Sequence, residues 1–199
     1  MLRALILCLA ALVVTPALAQ STTALRGAVD AVAADGASFT AHTRSGEPVT
    51  VRLKPETRFI AVVAADIKDV KEGAYVGVAA VPDGDTGLKA LEVHIFPEAM
   101  RGAGEGFRPF DLAPKSSMTN GALSERVETV DGPKLTVSYK GGSQTIRIDP
   151  STAIVAFAPG DKSELKPGAA IIARGVKAAD GAFDASVVLI GRNGLVPPM

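Results

Sequence analysis

Four side chains that can bind a soft or borderline metal ion lie near one another along the chain. His94, Glu98 and Met100 fall within one short stretch, and Met118 follows downstream. Imidazole and thioether groups suit copper, and imidazole with carboxylate suits zinc. The chain has only two histidines, His42 and His94, so a closed histidine-rich zinc site is excluded. We expect no cofactor, and a copper or zinc ion is the alternative.

The segment that contains most of these residues, 97–121, mixes apolar and charged side chains, unlike a simple polar linker. We expect this connector to be ordered and to pack between two domains. It either clamps the domains together or lines a cleft in which a ligand binds. Its candidate binding residues are Arg101, Glu105, Phe107, Arg108, Phe110 and Asp111.

The residues that could support catalysis do not form a known motif. The chain has no His-Glu-x-x-His, no Gly-x-Ser-x-Gly and no Ser-x-x-Lys accompanied by its partner motifs. Glu98 and Glu105 would serve glycoside hydrolysis only if a cleft held them at a fixed separation. We therefore predict a protein without enzymatic activity, and a cleft hydrolase is a distant alternative.

The composition limits the partners of the chain. Its 199 residues include 21 Lys+Arg and 21 Asp+Glu, and no basic run stands out. Nucleic-acid binding needs a local excess of positive charge and, for stacking, aromatic side chains, which make up only 5% here. We therefore expect an unknown protein or a small ligand as partner, and no nucleic acid.

The first residues have the three parts of a secretory signal peptide. Arg3 gives a positive start, residues 4–14 form an apolar run, and Ala17-Leu18-Ala19 is a small-x-small cleavage site. We expect cleavage after Ala19 and a periplasmic or secreted protein. The apolar run is shorter than the roughly 20 residues that cross a bilayer, so no transmembrane segment is expected after cleavage. Cys8 lies in this signal, and the mature chain would therefore contain no thiol.

The rest of the chain contains two copies of one unit. Residues 51–57, Val-Arg-Leu-Lys-Pro-Glu-Thr, are echoed by residues 146–152, Ile-Arg-Ile-Asp-Pro-Ser-Thr, at an offset of 95 positions. The same offset aligns Asp66 with Asp161 without a gap. A register maintained over this length predicts two structural repeats.

Within each repeat, apolar and polar residues alternate, which is typical of half-buried strands. Turns such as Asp35-Gly36 and Gly141-Gly142 favour hairpins between these strands. Several short strands in so few residues would leave open edges, so we expect each repeat to close into a small barrel. The predicted cores are Val29, Phe39, Val51, Leu53, Val76 and Val93 in the first repeat, and Val127, Leu135, Val137, Ile146, Ile148, Ile171 and Val188 in the second.

The order of motifs in each repeat resembles a family of bacterial exported domains of unknown function. That order is G-x-V, D-G, strand, x-x-x-T, D-x-x-x-x-x-G, strand, D-G and x-A-x-x-V, and the resemblance covers both repeats. Members of this family form small OB-like barrels that often occur in tandem. The resemblance therefore implies an all-β fold of two tandem small OB-like β-barrels joined by an ordered connector, and it implies no reaction.

Together these patterns predict a signal peptide at 1–19, a first barrel at 20–96, the connector at 97–121, a second barrel at 122–193 and a C-terminal tail at 194–199. The predicted function is that of an exported, non-enzymatic binding or scaffold protein, whose ligand or partner binds at the connector and the cleft between the barrels. The alternative is a periplasmic metal-binding protein that uses His94 and Met100.

Overall fold

The computed structural model describes residues 22–84 and 87–199. The expected signal peptide at 1–19, with Cys8, lies outside the described residues. The described chain is all-β, and only short 3-10 turns interrupt its strands. A helix long and apolar enough to span a membrane is not found in this part of the chain.

Twelve strands follow one another in the described part of the chain, and most of them fall within the two repeats. They are β1 (Thr23–Val32), β2 (Ser38–Thr43), β3 (Pro48–Ala64), β4 (Tyr75–Asp83), β5 (Gly87–Ile95), β6 (Gly106–Pro109), β7 (Ser117–Val127), β8 (Lys134–Tyr139), β9 (Gly142–Arg147), β10 (Ala153–Pro159), β11 (Ala170–Lys177) and β12 (Phe183–Gly191). The alternation of buried and exposed residues predicted for the strands is present, for example in β8, where Leu135 and Val137 are buried.

Two closed rings of five strands form the barrels. In the first barrel, β1 pairs with β2, β2 with β3, β3 with β12, β12 with β11, and β11 with β1. In the second barrel, β7 pairs with β8, β8 with β9, β9 with β5, β5 with β4, and β4 with β7. Both rings have the same strand order, and closed five-stranded barrels of this kind are OB-like. The predicted fold class of tandem OB-like barrels is confirmed.

The two repeats exchange their last two strands. The first barrel takes β1–β3 from the first repeat and β11–β12 from the second, and the second barrel takes β7–β9 and β4–β5 in the same way. The predicted segments 20–96 and 122–193 therefore mark the repeats, but neither segment forms a barrel by itself. The long strand β3 explains this, because its 17 residues, about 3.3 Å each, carry the chain out of the first barrel before β4 begins.

The barrels meet along a seam formed by β3 and β10. These strands pair antiparallel, and Val62 lies opposite Phe157, which is its counterpart in the other repeat at the offset of 95. A pseudo-two-fold axis therefore passes between these two residues. β10 also pairs in parallel with β5, as β3 does with β12.

Each barrel encloses its own apolar core. Val29, Phe39 and Val51 from the first repeat pack with Ile171 and Val188 from the second. The sequence predicts Ile171 and Val188 in the other core, and this prediction is wrong because the hairpins are exchanged. The second core combines Val70, Val76, Val78, Ala80, Ala90, Val93, Leu123, Leu135, Val137, Ile146 and Ile148.

Two other predictions about the core also need correction. Val76 and Val93 belong to the second core rather than to the first, again because of the exchange. Val127 is 43% exposed instead of buried. A register shift between Leu123 and Glu125 reverses the alternation near the end of β7, so that Val127 faces solvent.

A repeated threonine fastens each exchanged hairpin to its new barrel. The Thr57 hydroxyl donates to the Ala185 carbonyl oxygen at 2.8 Å and accepts from the Lys54 backbone N–H at 2.8 Å. In the other repeat, the Thr152 hydroxyl donates to the Ala90 carbonyl oxygen at 3.4 Å. Both bonds join one repeat to the other, which explains why the repeated motif ends in threonine.

The placement of the last two strands of each repeat can be tested with two matched substitutions in the second repeat. The measurement is amide hydrogen–deuterium exchange followed by mass spectrometry. Ile171→Val and Ile146→Val should each lower the free energy of unfolding by roughly 0.5–1.5 kcal/mol, because both side chains are buried. Ile171→Val should accelerate amide hydrogen–deuterium exchange in β1–β3, and Ile146→Val should accelerate it in β4, β5, β7 and β8. If Ile171→Val loosened only β7–β9, the barrels would be sequential instead.

Candidate functional site

A cavity of about 220 Å³, here called the seam cavity, lies where the two barrels meet the connector. It is lined by Arg58, Ile60, His94, Phe96, Met100, Ala103, Gly104, Arg108, Met118, Asn120, Phe157, Arg174, Val187, Leu189 and Met199. A larger and more open depression of about 440 Å³ lies beside β1 and the β2–β3 turn. We treat the seam cavity as the candidate site because buried polar groups of the chain converge on it.

Three neighbouring strands bring His94 and Asn120 together. On the central strand β4, Gly77 pairs with His94 of β5 on one side and with Asn120 of β7 on the other. A Cβ atom on Gly77 would lie 2.1 Å from His94 Nε2 and 2.7 Å from Asn120 Oδ1. The missing side chain of Gly77 is therefore what leaves room for both groups.

A buried carboxylate holds His94 in one orientation. His94 Nδ1 lies 2.5 Å from Glu92 Oε1, and the two residues are 3% and 0% exposed. The imidazole stacks on Phe157 with ring centroids 4.7 Å apart, and Phe96 meets it edge to face. With Nδ1 bonded to the carboxylate, Nε2 is the nitrogen directed towards Gly77 and Asn120.

Two buried oxygen atoms of this group have no hydrogen-bond partner among the described residues. They are Glu92 Oε2 and Asn120 Oδ1. The Asn120 amide N–H donates to the Ala103 carbonyl oxygen at 3.0 Å, so the side chain is fixed while its oxygen stays unpaired. A buried polar atom left without a partner costs about 1–3 kcal/mol, unless water or a ligand supplies one.

Three arginines add positive charge to the wall of the cavity. Arg58 is exposed, and Arg108 and Arg174 are partly buried. Arg108 donates to the Gly104 carbonyl oxygen at 2.7 Å. Burial, followed by the neighbouring charge of Arg26, lowers the pKa of the Arg174 guanidinium from its usual value. The cavity thus combines apolar walls with concentrated positive charge.

The residues predicted to bind a metal are only partly brought together. His94, Met100 and Met118 line the seam cavity, and the C-terminal Met199 joins them. Glu98 does not line the cavity, since it is exposed and pairs with Arg101 at 2.5 Å. Within residues 22–84 and 87–199, no three His, Cys, Asp or Glu side chains are grouped so that they could hold a metal ion.

The connector contacts both barrels. Arg101 donates to the Gly73 carbonyl oxygen at 2.9 Å, and Glu105 accepts from the Lys140 backbone N–H at 2.8 Å, both on the side of the second barrel. On the other side, Asp111 accepts two hydrogen bonds from Arg26 of β1, at 2.7 and 3.0 Å. These contacts match the clamp interpretation of the connector.

The remaining connector residues are divided between the cavity and the surface. Arg108 lines the cavity, so the connector also contributes to the cleft. Phe110 lies beneath the guanidinium groups of Arg26 and Arg174, 5.9 and 5.8 Å from its ring centroid. Phe107 is 47% exposed on β6 and does not line the cavity.

The sequence identifies His94 as a candidate, but it does not identify Gly77 or Glu92. At the offset of 95, Gly77, Glu92 and His94 have Ile172, Val187 and Leu189 as their counterparts in the other repeat. A comparison of every position of the repeats shows that a glycine and two polar residues replace large apolar residues here. Met199 gave no such signal, because the C-terminal tail appeared only to end the chain. It is 2% exposed, and its carbonyl oxygen accepts from Arg26 Nε at 2.9 Å.

Comparison with known proteins agrees with this repeat structure. A family described as a domain of unknown function, DUF5666, matches residues 26–94 and 126–188. The chain belongs to this family. No curated protein and no solved structure matches it. The two DUF5666 regions confirm the tandem units, and the connector and the C-terminal tail lie outside both of them.

A single added methyl group tests the fit between Gly77 and His94. Gly77→Ala should displace the imidazole and lower the free energy of unfolding by about 1–3 kcal/mol, because the new Cβ would overlap His94 Nε2. In a His94→Ala background, Gly77→Ala should lower the free energy of unfolding by clearly less than it does in the wild type. Denaturant unfolding of the wild type, both single variants and the double variant measures this coupling. Additive effects would contradict the predicted contact.

The Arg26–Asp111 contact makes part of the stability depend on pH. Hydrogen bonding and charge from Arg26 lower the pKa of Asp111 below its usual 3.8, so this contribution is present above that pH. It should be lost as pH falls through the lowered pKa of the folded protein. The melting temperature of Asp111→Asn should therefore lie below that of the wild type at pH 6, and the difference should shrink towards pH 2. A difference that stayed constant would contradict this assignment.

Proposed function

We propose that this protein is an exported, non-enzymatic binding protein whose ligand occupies the seam cavity. The observation that carries the proposal is the buried, unpaired oxygen of Asn120 at the wall of a cavity that combines apolar side chains with positive charge. Natural proteins satisfy nearly all buried polar atoms, and ligand sites combine apolar walls with a few such groups. A connector that served only as a clamp would need neither the cavity nor the unpaired amide oxygen.

Binding is favoured over hydrolysis by the residue types around the cavity. No serine, threonine or cysteine side chain is among its described lining residues. The Glu92–His94 pair resembles the base half of a catalytic triad but has no nucleophile beside it there. Glu98 and Glu105 do not face each other across the cavity, since each is bonded elsewhere and neither lines it. A cleft hydrolase therefore receives no support from this geometry.

Copper(I) binding is a second candidate, which one specific observation favours. Met100, Met118 and Met199, all the methionines of the described chain, line the same cavity as His94. Thioethers and imidazole are ligands that suit copper(I), and a carboxylate such as Glu92 commonly orients a metal-bound imidazole. The three guanidinium groups oppose this candidate, because like charges repel a bound cation. Zinc, the other metal of the alternative, lacks a sufficient set of ligands here.

A panel of probes with a common apolar body tests the proposal by isothermal titration calorimetry. The panel contains 2-naphthoate, 2-naphthamide and 2-naphthylmethylammonium, with copper(I) measured separately under reducing conditions. At least one probe should bind the wild type once per chain. Ala103→Leu, which fills the cavity, should weaken this binding at least tenfold, because Ala103 lines the wall.

Ala179→Leu is the matched control, since Ala179 is exposed in the β11–β12 turn and should leave binding unchanged. If no organic probe and no copper(I) bound the wild type, the proposed binding function would be wrong. If binding occurred but Ala103→Leu left it intact, the ligand would bind somewhere other than the seam cavity.

A further inference from the structure

We infer that the ligand of the seam cavity is a small organic carboxylate, whose acidic group is bound by Arg58, Arg108 and Arg174. This inference rests on the proposed binding function and adds to it the chemical class of the ligand. It is carried by the distribution of ion pairs among the arginines of the described chain.

Most arginines elsewhere in the described chain are paired with acidic residues. The described chain has ten arginines, and six of them form ion pairs with Asp or Glu: Arg26, Arg52, Arg101, Arg126, Arg147 and Arg192. The other four are Arg44 and the three that line the seam cavity. Unmatched guanidinium groups are therefore concentrated at this one site.

The charges around the cavity do not balance within the chain. Arg26 and the three cavity arginines supply four positive charges, whereas Asp111, Glu92 and the terminal carboxylate of Met199, which accepts from Arg26, supply three negative ones. Asp111 is already bonded through both carboxylate oxygens to Arg26. Glu92 is bonded to His94 on β5. An anionic ligand would remove this excess and the repulsion that it causes.

The chemistry of the arginines and of the walls favours a carboxylate with an apolar body. Guanidinium groups present planar forks of N–H donors that match carboxylate oxygens. Phe96, Phe157 and Met118 offer apolar surface to the rest of the ligand. The cavity of about 220 Å³ is smaller than the usual site of a drug-sized molecule, which favours a body of one or two rings.

The unpaired amide oxygen further defines the ligand. Asn120 Oδ1 can only accept a hydrogen bond, and so can His94 Nε2 when Nδ1 donates its proton to Glu92. A hydroxyl or amino group on the apolar body would satisfy these acceptors. We therefore expect a hydroxy-substituted naphthoate to bind more tightly than 2-naphthoate itself.

Calorimetry at pH 7 with 2-naphthoate and the neutral 2-naphthamide tests the inference, because the two probes share one body. The wild type should bind 2-naphthoate at least tenfold more tightly than the amide. Arg174→Gln and Arg58→Gln should each reduce this preference at least fivefold, because each removes a positive charge that attracts the carboxylate but not the neutral amide. Arg58 is exposed, so its substitution also serves if the partly buried Arg174 proves necessary for folding.

Arg44→Gln is the matched control, because Arg44 also lacks an acidic partner among the described residues but does not line the seam cavity. It should leave both affinities unchanged, and an equal loss of naphthoate binding in this variant would overturn the inference. Equal wild-type binding of the amide and the carboxylate would also overturn it, while the proposed binding function would stand. Copper(I) binding without naphthoate binding would overturn it in favour of the metal candidate.

Discussion

The pairing of β3 with β10 is the contact on which the rest of the structure depends. It places Val62 against Phe157, its own counterpart in the other repeat, and so relates the two halves by a pseudo-two-fold axis. Because β3 continues from the first barrel into this seam, the hairpin of β4 and β5 that follows it becomes part of the second barrel. The exchanged hairpins, the mixed cores and the seam cavity all follow from this one continuous strand.

Sequence patterns predicted where the strands lie better than which strands pair with one another. The offset between residues 51–57 and 146–152 revealed the repeats, and the alternation of side chains located most strands. The repeats have similar last hairpins, so either hairpin satisfies the same hydrophobic pattern in either barrel. Nothing local to β4 or β11 distinguishes closure within a repeat from exchange between repeats. Prediction of Ile171 in the second core failed for this reason.

The candidate site was also predictable only in part, because the tertiary structure decides which of its residues are buried. His94, Met100, Met118 and Arg108 stood out by residue type, and they do line one cavity. Glu92 and Arg174 have the same residue types as many solvent-facing side chains, and only the tertiary structure shows that they are withdrawn from solvent at the seam. The site is asymmetric, because Gly77 of β4 and the polar residues Glu92 and His94 of β5 have the counterparts Ile172, Val187 and Leu189 on β11 and β12. Joining both repeats in one chain allows one copy to carry polar groups while the other keeps an apolar packing surface.

The exchange of hairpins also affects the order in which the chain can assemble. β1 is paired with β11, so Thr23 can form its pair with Gly175 only after about 150 further residues have been synthesised. The second barrel has all its strands once β9 is available, but the apolar faces of β1–β3 remain uncovered until β11 and β12 arrive. Contacts so distant in sequence slow folding and prolong the exposure of strand edges. The N-terminal strands are therefore the part of this protein most in need of a chaperone while the chain is still incomplete.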